Sequence, residues 1–589
     1  MPTPARWLIP NFDPLQIDAL RDSLRISAPA AKMLVHRGLG EPAAARRFLS
    51  PSLDELHDPS TMRDMPRALD RLRKAIAAGE RILIYGDYDV DGTASVVLLT
   101  KAIELAGGSA TFHIPHRLQD GYGMRAEVVE HAAAEGVRLI VSVDTGIRAG
   151  EVVARANELG IDVIVTDHHL PEAELPPALA VLNPNRLDCG YPEKNLCGAG
   201  VAFKLVQALL GSLEWPAEKL RRVTESFLKM VAIATVADVV PLTGENRVIV
   251  KHGLDGLGDV RNPGLRALLE VAGFSRANVP TARQVAFQIA PRLNAAGRMD
   301  TARAVVEMFL TPDVERARVL AAQLHQQNAE RQQVEAQVRE ACEQMTVDGS
   351  AAALVYYAEE WHRGVLGIVA SRLVERLHRP VFVLGRNAQD GLAQGSGRSI
   401  PAFHLLDALE AMPDLFVRFG GHEHAAGVTM ECARVDEFRE RFQAYAAARL
   451  QPEDFLLELA LDGVIDLAEI TDRSATEVFS LAPFGHGNPP PLFAALDVEV
   501  AGPPAPWNEK HLRVMLRQGT RSLALKAWNF AARADELTAG ARVDVVFSLE
   551  EDAYSLARGY PGWAAVLRDV RAASALPSRD CQGVVAATS

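Results

Sequence analysis

The chain is poor in cysteine, has no long apolar run and carries no surplus of positive charge. Its five cysteines, Cys189, Cys197, Cys342, Cys432 and Cys581, are scattered and odd in number. That excludes a disulfide-built scaffold and fits free thiols in a reducing compartment. Cys189 and Cys197 have no second pair nearby, so a zinc site is not expected. No stretch reaches the roughly 18 apolar residues of a spanning helix. The opening MPTPARWLIPNFDP lacks the apolar core of a secretory signal, and the expectation is a cytoplasmic protein without a membrane partner. A net charge of −13 removes any globally basic surface. Nucleic-acid binding, if present, must use a local groove. Fixed-period repeats and low-complexity runs are also missing.

What is present is an ordinary globular composition, 48% hydrophobic and 23% charged over 589 residues, with room for about three or four domains. From about residue 80 to 240 the pattern repeats strand, loop, helix. RILIY (81–85), VRLIVSV (137–143), IDVIV (161–165) and ALAVLN (178–183) are short continuous apolar runs. Separated by helical segments such as 93–106, they predict buried parallel strands in an open α/β sheet. Thr311-Pro312 then opens a segment without Gly or Pro up to Asp348. It predicts a long connector helix with Thr311 as its cap and an exposed polar middle, HQQNAERQQ (325–333). A second α/β segment follows, with strands at 352–358 and 380–385 around a helix at 364–377. After about 456, alternating runs at 492–500, 511–517, 522–528 and 542–549 predict a small barrel. The expected division is an N-terminal segment (1–50), an α/β domain (51–310), the connector (311–348), a smaller α/β domain (349–455), the barrel (456–574) and a flexible tail (575–589).

The predicted strands deliver acids and histidines to one edge. RILIY runs into YGDYDVDG (85–92), with Asp87, Asp89 and Asp91 at alternate positions and Gly86 and Gly92 expected to let the loop turn. VRLIVSV ends at Asp144, IDVIV at Asp167, His168 and His169, and Asp238 follows the helix-like 227–237. Ligand sites in open parallel sheets lie outside the carboxyl ends of the strands. One aspartate there is ordinarily a cap or turn residue. Several together raise one another's pKa and destabilise the fold unless a cation joins them. Carboxylates with one or two imidazoles suit Mn²⁺ or Mg²⁺ rather than zinc. Two such ions about 4 Å apart can bridge an attacking hydroxide and clamp a phosphoryl oxygen, so the expected chemistry is phosphate-ester or anhydride hydrolysis.

DYDVDG (87–92), VDTG (143–146) and TDHH (166–169) resemble the DHH phosphoesterase superfamily. Further stretches resemble the RecJ family within it: LSPSLDELHDPSTMRDM (49–65), DGYGM (120–124), ATVADVVPL (234–242), PRLNAAGRM (291–299), WHRGVLGIVASRL (361–373), GRS (397–399), GGHEHAAG (420–427) and PFGHGNPPPLF (483–493). The resemblance implies a DHH domain, a DHH-associated domain joined to it by the long helix, and an OB-fold. It implies a 5′-to-3′ exonuclease on single-stranded DNA that releases 5′-mononucleotides and acts in recombination and repair. It also implies two divalent ions, Mn²⁺ or Mg²⁺, held by Asp89, Asp91, Asp144, His168 and Asp238, with Asp144 bridging. His169, Asp144 and Asp167 are then the catalytic set: His169 touches the scissile phosphate, and Asp167 orients a histidine. Asp87 sits behind the ligands. Implied partners are single-strand-binding protein and a RecQ-type helicase, and the implied state is a monomer.

Basic and glycine-rich segments supply candidate substrate contacts. Arg292 and Arg298 flank what reads as a Gly-containing turn. His362 and Arg363 stand at a predicted helix start, where anions are favoured, with Ser371 and Arg372 two turns on. Arg398, Ser399 and His422 lie in GRS and GGHEHAAG, whose spacing does not match a zinc-protease helix. Trp507, Lys510, Arg513 and Trp528 mix charge and aromatic rings as single-strand binders do; His511 and Lys526 belong to the same segment. Two alternatives are a small-substrate DHH hydrolase, which would be shorter and without the barrel, and a non-catalytic DNA-binding scaffold, which would have lost metal ligands.

Overall fold

The computed structural model describes residues 5–117, 121, 123–299, 301–345, 351–387 and 390–573. Asp120 and Tyr122 of DGYGM, residues 346–348 of the expected connector, Cys581 and the expected tail lie outside the described residues. The chain divides into two compact units, one of Leu56–Leu456 and one that joins Met1–Glu55 to Leu457–Ser589.

The larger unit begins with five parallel strands: β1 (Arg81–Tyr85), β2 (Ala110–His113), β3 (Val137–Val143), β4 (Asp162–Thr166) and β5 (Ala180–Leu182). Their order in the sheet is β2-β1-β3-β4-β5. Ile82, Ile84, Leu139, Val141, Val143, Val163 and Val165 are at most 1% exposed. Each such side chain contributes about 1.5–3 kcal/mol on burial, which is why these unbroken apolar runs form central strands. The short edge strand β2 was not among the expected ones. The chain leaves β1 for β2 on one side and returns to β3 on the other, so a switch point opens between β1 and β3 at their carboxyl ends.

Four helices frame that opening: α1 (Val90–Leu105), α2 (Gly198–Gly211), α3 (Ala217–Ala237) and α4 (Ala290–Met299). Two expectations change here. Helix α1 starts at Val90 rather than 93, because the Asp89 carboxylate caps it, accepting from Gly92 N at 2.9 Å. Gly92 is therefore helical; a Cβ there would lie 2.6 Å from the backbone of Asp87, so close approach and not turning calls for glycine. RLNAAGR is no turn either, since it forms most of α4.

The connector is α5 (Val314–Gln344). Its cap is Asp313, which accepts from Glu315 N and Arg316 N, whereas Thr311 closes the preceding helix. Its polar middle is only partly exposed: Asn328, Arg331 and Glu335 are buried, joined by an Arg331–Glu335 contact of 2.6 Å.

The smaller α/β part of this unit contains β6 (Leu354–Ala358), α6 (Arg363–Leu377), β7 (Val381–Arg386), β8 (Ala393–Arg398), β9 (Arg418–Gly421) and β10 (Ala425–Met430), in sheet order β9-β10-β8-β7-β6. Phe382, Phe438 and Phe442 pack edge-on and tilted in its core.

The second unit is built on β11 (Leu492–Val500), β12 (Ala505–Trp507), β13 (His511–Gln518), β14 (Arg521–Ala527), β15 (Arg542–Glu551) and β16 (Trp563–Ala572). β16 is a strand the sequence pattern did not reveal. Pairing runs β11-β15-β16-β14-β13 and returns to β11 at Glu499↔Arg517 and Val500↔Leu516. A five-stranded ring with one parallel pair, β14 with β16, is the topology of an OB-fold. The N-terminal residues are not a separate segment. Arg6–Leu8 pairs in parallel with Glu458–Ala460, and Ile17, Leu20, Met33 and Leu34 share a core with Phe493 and Phe547. Among the described residues no helix is long and apolar enough to cross a membrane.

Candidate metal and phosphate site

The acids and histidines expected at the sheet edge converge at the switch point. Asp87 leaves β1, Asp144 leaves β3, Asp167 to His169 leave β4, and Asp238 caps the end of α3. Three trios have ligand atoms within 4.8 Å of one another: Asp87, Asp89 and Asp144; Asp91, His168 and Asp238; and Asp144, His168 and His169. His168 Nε2 lies 3.3 Å from Asp144 Oδ1, 3.8 Å from Asp238 Oδ2 and 3.9 Å from Asp91 Oδ2. Asp87 thus stands in one trio with two of the expected ligands, Asp89 and Asp144.

The backbone holds this geometry at some expense. Asp144 has φ +58° and Val239, next to Asp238, φ +59°. The second is unusual for a β-branched residue, and such strain persists where the surroundings enforce it. Asp91 accepts from the first two N–H groups of α2, Gly198 N at 2.5 Å and Ala199 N at 2.8 Å, so a helix dipole faces it. Gly198 also packs on Asp144: a Cβ there would stand 2.5 Å from Asp144 Oδ1.

Electrostatics follow from the crowding. Burial, then repulsion by Asp89, pushes Asp87 up to about 8. Burial, then Asp91 and Asp89, pushes Asp238 up to about 9. Asp89 and Asp144 are raised by the same two causes, and burial lowers His168 towards its neutral, ligating form. Asp87 Oδ1 is buried without a hydrogen-bond partner among the described residues. An acid-rich, imidazole-bearing set with an unsatisfied buried oxygen fits a divalent cation and no sulfur-seeking metal.

Asp167 stands differently. Its carboxylate accepts from Ile147 N, His168 N, His169 N and His169 Nδ1, the last at 2.7 Å. Burial would raise it, but the bond and charge of His169 leave it lowered. Burial likewise pulls His169 down, yet Asp167 holds it above the usual histidine value.

Of the basic candidates, the structure gathers Arg298 and Arg398 and adds Arg117 and Arg331. Arg298 Nη1 donates to Gly364 O at 3.0 Å. Burial, then Arg117, Arg331 and Arg398, pushes Arg298 down to about 10. Arg117 lies 4.8 Å over the Tyr88 ring, inside DYDVDG. Sequence reasoning missed Arg117, whose only signal is that it follows the unrecognised strand β2. Asn294, accepting from Val90 N at 3.1 Å, was also unforeseen. Other candidates go elsewhere. Arg292 donates to His325 of α5 at 3.2 Å. Arg372 pairs with Glu335 and Glu375, and Arg363 with Gln394. Ser371 Oγ donates to Gly367 O, Ser399 Oγ to Phe403 O, and His362 caps α6. His422 is exposed at the β9–β10 turn. On the barrel, Trp507 and Trp528 are 43% and 37% exposed with ring centroids 4.9 Å apart, and Lys510 and Arg513 are exposed beside them.

A five-stranded parallel sheet with acids and a His pair at its switch point defines a DHH-family protein. The model of the DHH family N-terminal domain matches residues 81–235, and that of the DHHA1 domain matches 350–448. The RecJ OB domain model matches 461–558. The single-stranded-DNA-specific exonuclease RecJ of Bacillus subtilis is 38% identical over 550 residues, covering 92% of this chain and 68% of the relative. A crystal structure of RecJ from Thermus thermophilus in complex with Mn²⁺ superposes with a TM-score of 0.82 at 33% identity, over 97% of this chain and 80% of that one. A Mg²⁺ complex of RecJ from the same organism gives 0.76 at 30%, over 97% and 79%. The chain belongs to the RecJ family.

Proposed function

We propose that the chain is a metal-dependent exonuclease that hydrolyses single-stranded DNA from the 5′ end and releases 5′-mononucleotides in recombination and repair. The observation that carries this reading is the convergence of five aspartates and two histidines beside an arginine cluster. Two divalent ions, Mn²⁺ or Mg²⁺, would supply an activated water and neutralise charge developing on the phosphoryl group. Asp89, Asp91, Asp144, His168 and Asp238 are the ligands in this reading, and its grouping with Asp89 and Asp144 favours Asp87 as a sixth. His169 is the catalytic donor to the scissile phosphate. Its Nδ1 is held by Asp167, so Asp167 is a positioning residue and its effect passes through His169. Arg298, Arg398 and Arg117 hold substrate phosphate, since arginines crowded this closely favour an anion among them.

The domain limits proposed are 51–310, 311–348, 349–455 and 456–574, with residues 1–50 packed into the last. The protein works as a cytoplasmic monomer alongside single-strand-binding protein and a RecQ-type helicase. Digestion of 5′- and 3′-labelled single strands with manganese, magnesium or chelator tests the reading. Early release of the 5′ label, abolished by chelator, is expected; early release of the 3′ label, or cleavage of pyrophosphate in preference to DNA, overturns it.

A further inference from the structure

The edge strand β5 runs into Asn183-Pro184-Asn185, beside the end of β4 where the histidine pair stands. Asparagines after a strand are ordinarily turn residues, and Asn183 does serve its own turn: its Oδ1 accepts from Asn185 N at 2.7 Å. Both amide nitrogens, however, reach out of the loop. Asn183 Nδ2 donates to His169 O at 2.8 Å, and Asn185 Nδ2 to His168 O at 2.6 Å. A carbonyl oxygen only accepts, so the nitrogen end of each amide must face it.

Asp167 grips the same two residues from the other side, accepting from His168 N and His169 N. The peptide that joins the histidines is thereby held at both polar ends, its N–H by Asp167 and its C=O by Asn185. The torsions that aim the two rings are divided accordingly. Asn185 fixes the peptide the histidines share, whereas Asn183 fixes only the one after His169. The loop is rigid enough for this. Asn183 is 0% exposed, and Pro184 restricts the turn. Arg186 donates to Val181 O and to Asp64 Oδ2, each at 2.7 Å, and Lys194 Nζ donates to Pro184 O at 2.8 Å.

We infer that Asn183 and Asn185 are positioning residues for the histidine pair: Asn185 sets His168 and His169 together, and Asn183 sets His169 alone. This deepens the proposed function and rests on it for the roles of the histidines, His168 as metal ligand and His169 as donor to the phosphate. Groups that orient ligands and catalytic side chains act on metal affinity or rate through them. A loop that merely closed the sheet would lose stability on substitution without separating metal affinity from turnover.

The test measures manganese binding by calorimetry, and kcat and KM on a labelled single strand at saturating manganese, for the full chain and two variants. Asn185→Ala is expected to weaken manganese binding about tenfold and to lower kcat as well. Asn183→Ala is expected to lower kcat about tenfold, with manganese affinity and KM within about twofold of wild type. Unchanged manganese affinity in Asn185→Ala overturns the inference. So does an equal loss of manganese in Asn183→Ala, or a wild-type kcat there. If the buried Asn183 does not tolerate alanine, Asn185→Ala, in the half-buried part of the loop, decides alone through its manganese affinity. An unmutated chain that binds manganese yet leaves DNA uncut would sink the exonuclease reading, and the manganese measurement on Asn185→Ala would still decide this one.

Discussion

Gly198→Ala is the sharpest perturbation of the site, because it adds one carbon and removes no ligand. The new Cβ would lie 2.5, 2.6 and 2.7 Å from Asp144 Oδ1, Cβ and Cγ, where real contacts begin at about 3.0 Å. Rotating the carboxylate cannot relieve a clash that includes its own Cβ, so Asp144 and α2 must part by roughly half an ångström. Asp144 cannot yield cheaply: it is 2% exposed, at positive φ, and its N–H donates to Thr166 O at 2.9 Å. Metal sites tolerate about 0.2 Å, and a misplacement near 1 Å costs about a hundredfold in rate. At about half that displacement, manganese-dependent mononucleotide release should fall by about 10-fold, with weaker manganese binding by calorimetry. Gly211→Ala, at the far end of the same helix with nothing within 4 Å of its Cβ, should leave activity intact and stabilise the helix by up to about 1 kcal/mol. Activity of Gly198→Ala within about threefold of wild type, at unchanged manganese affinity, refutes the proposal that Asp144 is a metal ligand.

Asp167→Asn should lower activity by about 10- to 100-fold through a disoriented His169 while manganese affinity stays near wild type; loss of the metal instead would make Asp167 a ligand. Saturating manganese, at about 100 times its dissociation constant, should stabilise the larger unit by about 2.7 kcal/mol, and Asp144→Asn should lose that gain in denaturant titrations. Glu245→Gln leaves Lys204, which is 0% exposed, without its carboxylate and also perturbs the 2.6 Å bond from Tyr191 Oη. It should cost about 3–5 kcal/mol, and a change below 1 kcal/mol would show that the pair is not desolvated. Lys526 and then Ser555 pull Asp552 down to about 2 from 3.8. An acid lowered by folding stabilises above its unfolded pKa and loses that contribution as pH falls through the folded one. The stability gap between wild type and Asp552→Asn should accordingly close between about pH 4 and pH 2, and a gap constant over that range contradicts the 2.7 Å ion pair of Asp552 with Lys526.

The sheet and the acid set were readable because both are local. Apolar runs such as VRLIVSV name buried strands, and the residues that follow them fall at one edge whatever the rest of the chain does. Local signals misled where two caps compete: Thr311-Pro312 resembles a helix start, but Asp313, with a carboxylate reaching two N–H groups, takes the position. Glycine misled at RLNAAGR and at Gly92, where it answers the proximity of another backbone rather than a turn, and proximity is not written in a window of sequence. Arg117 was invisible because a lone arginine becomes informative only when Arg298 and Arg398 are placed beside it. The barrel's sixth labelled strand, β16, was hidden by WAAVLRDVRA, whose apolar residues stand side by side rather than alternating and whose register against β15 shifts between Leu567 and Asp569. The burial of Arg331 and Glu335 in α5 reflects packing on α6 and could not be read from a polar run.

The parallel pairing of Arg6–Leu8 with Glu458–Ala460 has a consequence for synthesis. The first strand of the smaller unit emerges from the ribosome about 450 residues before its partner. At roughly 5–20 residues per second, that is a wait of about 20–90 s. During it, Trp7, Ile17 and Leu34 have no barrel to cover them, while Leu56–Leu456 can already complete its own core. The larger unit is in effect an insertion into the smaller one, and the order of folding is the reverse of the order in which the two begin. A nascent chain halted before residue 457 would carry a finished acid site and an apolar N-terminus still waiting to be buried.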